Sequence, residues 1–225
     1  MNASDLRQSE VFDCLTDAEL EELFHLGIRR KVAAGDTLTN AGDVWTNLFV
    51  VEKGRLSLSK ESAEGRGLSI KDLERADLFW GPAFFNPDTP NPVSMRAEAE
   101  TVVRIWSREV LEPLLLSNGW LSWAFARYMA DHMVMASDII HSLAFLQVGG
   151  RLAEFLMKAC DTDNDGPIDR TLTLEAIAAK IGSTREVVCR FLKCFADQGL
   201  IRITRTEMEM IDRAGLEAIA RKEKS

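Results

Sequence analysis

The segment from Trp120 to Leu146 restricts the fold of this chain more than any other feature, because it predicts one continuous helix. At a rise of 1.5 Å per residue, that helix would be about 39 Å long. Two apolar stripes can be drawn along it, so we expect the helix to lie between two bodies. These would be a domain of the same chain and a second copy of the protein. A core helix inside a monomer is the alternative that the periodicity leaves open.

The two stripes differ in their spacing. One advances mostly in alternating steps of three and four residues, as a coiled-coil seam does, whereas the other is expected to cover another surface. The seam stripe consists of Leu121, Phe125, Tyr128, His132, Met135, Ile139 and Leu146, and the second stripe consists of Met129, Met133, Ala136, Ile140 and Leu143.

Residues 28–106 have the pattern of an all-β domain. Gly-Asp pairs at 35–36 and 42–43, together with Gly54, separate short apolar runs such as "LFVVEKGRLSLS" and "VVRIW". Turns that recur at such short intervals predict a compact antiparallel barrel or sandwich.

The residues that follow the long helix have the pattern of a winged helix-turn-helix. Thr173 is expected to cap one helix, Gly182 to turn the chain, and Ser183 with Glu186 to form a capping box for the next helix. The segment "LIRITRTEMEMID" then predicts two strands joined by a tight turn, which completes the motif. A hinge is predicted between the long helix and this region, at Val148, Gly149 and Gly150.

A helix over residues 184–196 would have an apolar face and an opposite polar face. Arginine can donate two hydrogen bonds to guanine and glutamate can accept one from cytosine, so the polar face has the chemistry of major-groove recognition. A solvated helix face is the alternative. The apolar stripe is Val188, Phe191, Leu192 and Phe195; the predicted DNA contacts are Thr184, Arg185, Glu186, Cys189, Arg190 and Lys193, with Arg202 and Arg205 on the hairpin expected at phosphates.

The charge distribution favours this interpretation. The chain has a net charge of −8, but residues 148–225 contain 13 basic and 13 acidic residues, so the excess negative charge lies before residue 148. Residues 183–205 contain five basic and two acidic residues. A local basic patch on an acidic protein can bind a polyanion without making the whole surface adhesive.

The segment "LTLEAIAAKIGSTREVVCRFLKCFADQGLI" resembles the DNA-binding region of the CRP/FNR superfamily of bacterial regulators, and "IHSLAFLQVGGRLAEFL" resembles its dimerisation helix and hinge. The resemblance implies an α+β chain with a jelly-roll-like β-roll that senses an effector (1–116), a dimerisation helix (117–147) and a winged helix-turn-helix (148–225). It also implies a homodimer on an inverted repeat of double-stranded DNA, with RNA polymerase as a candidate partner. By position, Arg185, Glu186, Cys189 and Arg190 would contact bases, and Cys189 stands where members have Ser or Gly.

The effector is not expected to be cyclic AMP. Members that bind cyclic AMP hold its ribose with a Gly-Glu-Leu turn and its phosphate with an Arg-Ser pair. Here Trp80 and Gly81 stand in the first motif, and Val93 and Ser94 in the second. A buried phosphate without these donors would be disfavoured.

The same region is rich in aromatic residues. A packed aromatic core is one interpretation, and a site for haem or for another aromatic or apolar ligand is the other. An iron–sulfur cluster is not expected, because Cys14 is the one cysteine near the N-terminus. His132 could ligate haem, act as a protonation switch or face its twin in a dimer. The candidate pocket residues are Trp80, Phe84, Ser94, His132, Met133 and Ser137.

The sequence admits three other interpretations. The winged helix could contact protein instead of DNA, or the β-domain could be a cupin-like enzyme, although the latter needs clustered histidines. The segment "DTDNDGPID" at 161–169 resembles the start of a calcium loop but has Leu172 where the bidentate Glu belongs, so no metal site is expected. Without a signal peptide or an apolar run long enough to cross a membrane, a cytoplasmic protein that does not bind membranes is expected.

Overall fold

In the computed structural model, which describes residues 1–62, 67–162, 168–169, 172–204 and 207–221, the chain forms two compact units. One comprises Met1–Lys60 and Ile70–Val134, and the other comprises Glu61–Ser69 and Met135–Ser225. The architecture is α+β: two four-stranded antiparallel sheets, one long helix, and a helical region with a small hairpin sheet. The fold class predicted from the sequence is confirmed.

The first unit starts with a 3-10 helix at Ala3–Gln8 and helix α1 at Asp17–Leu26. A capping box fixes the start of α1, because the Thr16 hydroxyl accepts from the Glu19 amide and the Glu19 carboxylate accepts from the Thr16 amide. The strands are β1 (Ile28–Val32), β2 (Thr37–Thr39), β3 (Asn47–Lys53), β4 (Leu56–Glu61), β5 (Gly67–Leu73), β6 (Leu78–Trp80), β7 (Ser94–Ala97) and β8 (Thr101–Ser107).

The eight strands form two sheets with the orders β1-β8-β3-β6 and β2-β7-β4-β5. Strand β3 shows why these apolar runs form a layered core. Successive strand residues point to opposite faces, so Phe49 and Val51 face the core that both sheets share, whereas Leu48 and Val50 face the helices. All four side chains are fully buried, and a strand covered on both faces needs a continuous apolar run instead of an alternating one.

A buried ion network ties this sheet to α1. Arg104 of β8 donates from Nε and Nη2 to Oε1 of Glu52 at 2.8 and 2.7 Å, and Arg29 of β1 donates to Oε2 at 2.8 Å. Arg104 also donates to the carbonyl oxygens of Phe24 and Gly27 near the end of α1. The Glu52 side chain is 3% exposed and that of Arg104 is 10% exposed, so each charge depends on its partner for solvation.

Removing the Glu52 carboxylate should therefore destabilise the β-domain strongly. We expect Glu52→Ala to lower the free energy of unfolding by about 3–5 kcal/mol, because the Arg104 charge stays buried without its carboxylate. The matched control is Glu112→Ala, which breaks a partly exposed pair with Arg108 and should cost at most about 1 kcal/mol. Urea denaturation of both variants measures the difference, and equal losses would contradict this account of the network.

Helix α2 (Arg108–Ser117) follows β8, and helix α3 (Gly119–Phe145) is the long helix that the sequence predicts. The prediction that the seam stripe faces a second copy is wrong for its first residues. Leu121 and Phe125 of the seam stripe are buried in the core of the first unit, and Tyr128 donates its hydroxyl to the Leu78 carbonyl. The spacing of apolar residues gives the period of a stripe. It does not show whether the stripe packs against its own domain or against a second copy of the protein.

A different series of α3 residues is exposed and has strict heptad spacing. Its positions advance by three and four residues alternately along the helix, which is the geometry of a coiled-coil seam. Met133 is 74% exposed and Ile140 is 66% exposed. The series consists of Trp123, Ala126, Ala130, Met133, Ser137, Ile140 and Ala144, all exposed, and we call it the α3 seam.

The remaining helices are α4 (Val148–Thr162), α5 (Leu174–Ile181), α6 (Arg185–Asp197) and α7 (Arg213–Ala220). Strands β9 (Ile168–Asp169), β10 (Ile201–Ile203) and β11 (Glu207–Met210) form a sheet with the order β10-β11-β9. These elements share one apolar core that includes Leu156, Ile177, Leu192 and Leu216. Within the described ranges, none of the helices combines the length and apolarity needed to cross a bilayer.

Candidate nucleic-acid interface and effector region

Helices α5 and α6 form a helix-turn-helix around Gly182. Thr173 caps α5 by accepting a hydrogen bond from the Ala176 amide at 3.1 Å, as predicted. Gly182 ends α5 with a φ of +61°, a left-handed conformation that glycine adopts without strain. A Cβ at this position would also lie 2.9 Å from a methyl carbon of Leu143. The tight turn therefore needs glycine, and it sets the direction in which α6 leaves.

Helix α6 is anchored by its apolar face. Val188, Leu192 and Phe195 are at most 4% exposed and lie in the core of the second unit, and Phe191 packs at its edge. Burial of these three side chains contributes roughly 1.5–3 kcal/mol each to the free energy of folding. The burial fixes the orientation of the helix about its own axis. The rotation decides which side chains face outward.

The opposite face of α6 carries the predicted DNA contacts. Thr184 is the N-terminal cap residue and is partly buried. The predicted Ser183–Glu186 capping box is absent, because α6 starts one residue later than that motif requires, at Arg185. The side chains exposed together on this face are Arg185, Glu186, Cys189, Arg190 and Lys193.

Two of these residues have partners at the start of α6. Arg185 Nη1 lies 3.2 Å from Glu175 Oε1 of α5, and both side chains are more than half exposed. Such an exposed pair contributes only about 0–1 kcal/mol to the free energy of folding. Arg185 can therefore leave Glu175 and bind another anion. Hydrogen bonds from its own amide and from the Thr184 hydroxyl lower the pKa of Glu186, so this residue is a carboxylate at neutral pH.

The hairpin contributes one further exposed arginine to the described surface. Arg202 lies opposite Glu209 in the β10–β11 ladder and donates to its carboxylate at 2.8 Å. Arg205, the second predicted phosphate contact on the hairpin, lies outside the described residues, as does most of the calcium-like segment. Among the described residues no cluster of three or more His, Cys, Asp or Glu side chains could hold a metal ion.

The connection between α3 and α4 lies directly before the predicted hinge residues. Helix α3 ends at Phe145 and α4 begins at Val148, so the non-helical connection is Leu146–Gln147. Val148, Gly149 and Gly150 form the first turn of α4, where amides lack helical partners in any case. A Cβ on Gly149 would lie 2.9 Å from Phe191, so this glycine permits close packing.

Arg151, close to the Leu146–Gln147 connection, was not among the functional residues predicted from the sequence. Arg151 is 8% exposed and donates to the carbonyl oxygens of Leu146, Ile181 and Gly182 at 2.9, 2.7 and 3.2 Å. Burial lowers the pKa of Arg151 from its ordinary value. The one indication in the sequence was an arginine next to a Gly-Gly pair at a predicted helix junction, but its burial depends on long-range contacts that no local pattern reveals.

The candidate effector residues separate into two groups. Trp80 and Phe84 lie in the aromatic core: Trp80 is 5.1 Å from Phe125 and 5.4 Å from Tyr128 between ring centroids, and Phe84 is 2% exposed. His132 stacks on Tyr128 at 4.2 Å, and its Nδ1 lies 2.8 Å from the Tyr128 carbonyl oxygen. Burial raises the pKa of Tyr128, which keeps its hydroxyl neutral.

The other three candidates do not join this aromatic stack. Ser94 begins β7, in the other sheet, and its hydroxyl accepts from the Ala41 amide at 2.9 Å. Met133 and Ser137 are exposed members of the α3 seam. A shared pocket that includes these residues stays a prediction.

Two buried polar groups of the β-domain were also missed in the sequence. Asn91 is 2% exposed and Thr39 is 3% exposed, and their side-chain polar atoms have no hydrogen-bond partner in the described structure. The backbone amide of Asn91 donates to Asp43, and the Gly42 amide donates to the Asn91 carbonyl, in the turn that follows Thr39. An amide and a hydroxyl can bind a neutral polar ligand or a water molecule, whereas neither supplies a positive charge.

Comparison with known proteins agrees with this architecture. The family model of the cyclic nucleotide-binding domain matches residues 29–118, and that of the Crp-like helix-turn-helix domain matches residues 150–219. The chain is 29% identical over 183 residues to the cAMP-activated global transcriptional regulator Vfr of Pseudomonas aeruginosa, covering 78% of this chain and 85% of Vfr. It is 28% identical over 192 residues to the regulator CRP of Salmonella typhimurium, covering 83% of this chain and 90% of CRP.

A solved structure has the same fold. A transcriptional regulator of the crp/fnr family from Eubacterium rectale superposes with a TM-score of 0.76 at 23% identity, covering 96% of this chain and all of that one. The two family models, the full-length relatives and the helix-turn-helix geometry point to regulators that bind DNA and carry an effector-binding domain, and not to enzymes. The chain belongs to the CRP/FNR family of transcription regulators.

Proposed function

We propose that this regulator binds an inverted-repeat operator as a homodimer, with the polar face of α6 in the major groove of each half-site. The observation that carries the proposal is the exposed row formed by Arg185, Glu186, Cys189 and Arg190 on a helix whose other face is fixed in the core. Arg185 and Arg190 can donate to guanine, and Glu186 can accept from cytosine. Thr184, Lys193, Arg202 and Arg205 would contact phosphates and set the register.

The α3 seam supports the homodimer. Its exposed apolar residues would stay in contact with water in a monomer, and its heptad spacing fits a parallel pair of helices. Two protomers related by a twofold axis would place their α6 helices in successive major grooves, about 34 Å apart. RNA polymerase as a further partner also remains a proposal.

Introducing a charge into the seam should separate the protomers. We expect Met133→Lys combined with Ile140→Lys to convert a dimer into a monomer, because four like charges would meet in an apolar contact. Size-exclusion chromatography with light scattering measures the mass. Asp138→Lys, an exposed position on the same helix outside the seam, is the control and should remain dimeric. A wild-type monomer, or a dimeric double variant, would contradict this interface.

Removing the two arginines of α6 should abolish specific DNA binding. We expect Arg185→Ala with Arg190→Ala to eliminate the gel shift on inverted repeats selected from a random library, since each bidentate base contact contributes about 1–3 kcal/mol. The control is Arg221→Ala, an exposed arginine at the end of α7 that pairs with Glu217. Unchanged affinity in the double variant, or no selected sequence with the wild type, would favour a winged helix that contacts protein.

The proposed effector binds in the β-domain and is not cyclic AMP. Trp80 and Gly81 stand where members that bind cyclic AMP have the Gly-Glu pair that holds the ribose, and the Trp80 indole packs on Phe125. Val93 stands in place of the arginine that would neutralise the phosphate. Candidate effectors are haem, through which a gas would be sensed, or an aromatic or other apolar molecule. Effector binding would change the angle at the α3–α4 connection and so shift the population of DNA-binding states.

Two measurements test the effector proposal on purified protein. We expect titration calorimetry with cyclic AMP to show no binding at millimolar concentration, because Val93 stands in place of the arginine that would neutralise the cyclic phosphate. An absorption spectrum and a native mass spectrum would reveal haem through a Soret band or another ligand through added mass. Saturable binding of cyclic AMP would contradict the proposal, as would a bound ligand whose removal leaves the affinity for DNA unchanged.

A further inference from the structure

Arg151 lies where three helices of the second unit meet. It is the fourth residue of α4, and its guanidinium reaches back across the Leu146–Gln147 break to the carbonyl oxygen of Leu146. On its other side, the same group donates from Nε and Nη2 to the carbonyls of Ile181 and Gly182, at the end of α5. One side chain thus bridges the end of α3 and the turn of the helix-turn-helix.

The chemistry of the three acceptors explains why a charge is tolerated in this buried position. The carbonyl groups at the C-terminal end of a helix lack amide partners and carry the negative end of the helix dipole. A cation there is stabilised, and hydrogen bonds from a charged donor are stronger than neutral ones. Only arginine offers several donors in a fixed plane, so one guanidinium can serve both helix ends at once.

The position of these bonds matters for α6. Residues 182–184 alone separate the end of α5 from Arg185, the first residue of α6 and a proposed base contact. A change in the angle between α3 and α4 would change the distance from Arg151 to Leu146. Because the same guanidinium holds Ile181 and Gly182, such a change would also reach the turn that directs α6.

We propose that Arg151 is a positioning residue for DNA recognition: its guanidinium couples the end of α3 to the turn that aims α6. Arg151 itself touches no base and acts through the three carbonyls that it holds. The proposal rests on the proposed DNA-binding function. It adds a buried residue of α4 to the exposed residues of α6 that would contact DNA.

The test compares Arg151→Lys with the wild type and with Arg221→Lys, a conservative change at an exposed arginine of the same unit. Lysine keeps the charge but lacks the planar group whose Nε, Nη1 and Nη2 each donate to a different carbonyl in the wild type. We expect the Arg151→Lys dimer to keep its helix content and to bind the selected inverted repeat about tenfold or more weakly, as for typical coupling between sites. The slope of log affinity against log salt should become shallower by about 0.9 for each phosphate that the variant no longer neutralises.

Hydrogen exchange provides the second readout. Faster exchange confined to residues 146–151 and 181–188 in Arg151→Lys supports the coupling, whereas acceleration throughout the core, including α7, would indicate a merely structural role and overturn it. An affinity within twofold of the wild type with an unchanged salt slope would also overturn it. If Arg151→Lys loses helix content, Arg151→Gln is measured in the same way.

The exchange readout also separates this proposal from the proposed function. If the wild type selects no DNA sequence, the proposed DNA-binding function is contradicted. Faster exchange confined to residues 146–151 and 181–188 in the variant would still support a structural coupling between the end of α3 and the turn. If the wild type binds DNA and the exchange pattern of the variant is unchanged, the DNA-binding function stands and the role of Arg151 fails.

Discussion

Burial of Val188, Leu192 and Phe195 is the interaction on which the proposed DNA-binding surface depends. These side chains fix the rotation of α6 in the core of the second unit, and everything exposed on the opposite face follows from that rotation. Gly182 then fixes where the helix begins. A substitution on the exposed face could therefore change the bases that α6 contacts without altering the core that presents this face.

Burial also decides which residues of α3 are exposed, but this helix has two apolar faces. One packs in the core of the first unit, and the other is available to a second protomer. Leu121 and Phe125 are consumed by the core of the first unit, which leaves the α3 seam without a partner in the described part of the chain. Ser137 and Met133, predicted for an effector pocket, lie on that seam. If the protein dimerises through it, they face a second protomer, so that any role in sensing would depend on the dimer.

Much of this could be predicted from the sequence because the determining forces are local. Periodicity located the long helix, turn chemistry located Gly182 and the cap at Thr173, and the apolar stripe of α6 assigned its two faces. Predictions failed where a long-range contact decides the outcome. Leu121 and Phe125, predicted for a seam between two copies, are buried in the first unit, and nothing in the local pattern indicated that Arg151 would bind the ends of two helices.

The central claim is that α6 of each protomer enters the major groove of one half-site. Methylation interference on the selected operator tests it most directly, because a methyl group at guanine N7 blocks major-groove contacts with arginine. The account predicts two clusters of interfering guanines, one helical turn apart (about 10 base pairs), related by the symmetry of the repeat. A single cluster, or binding that is indifferent to methylation at N7, would contradict it.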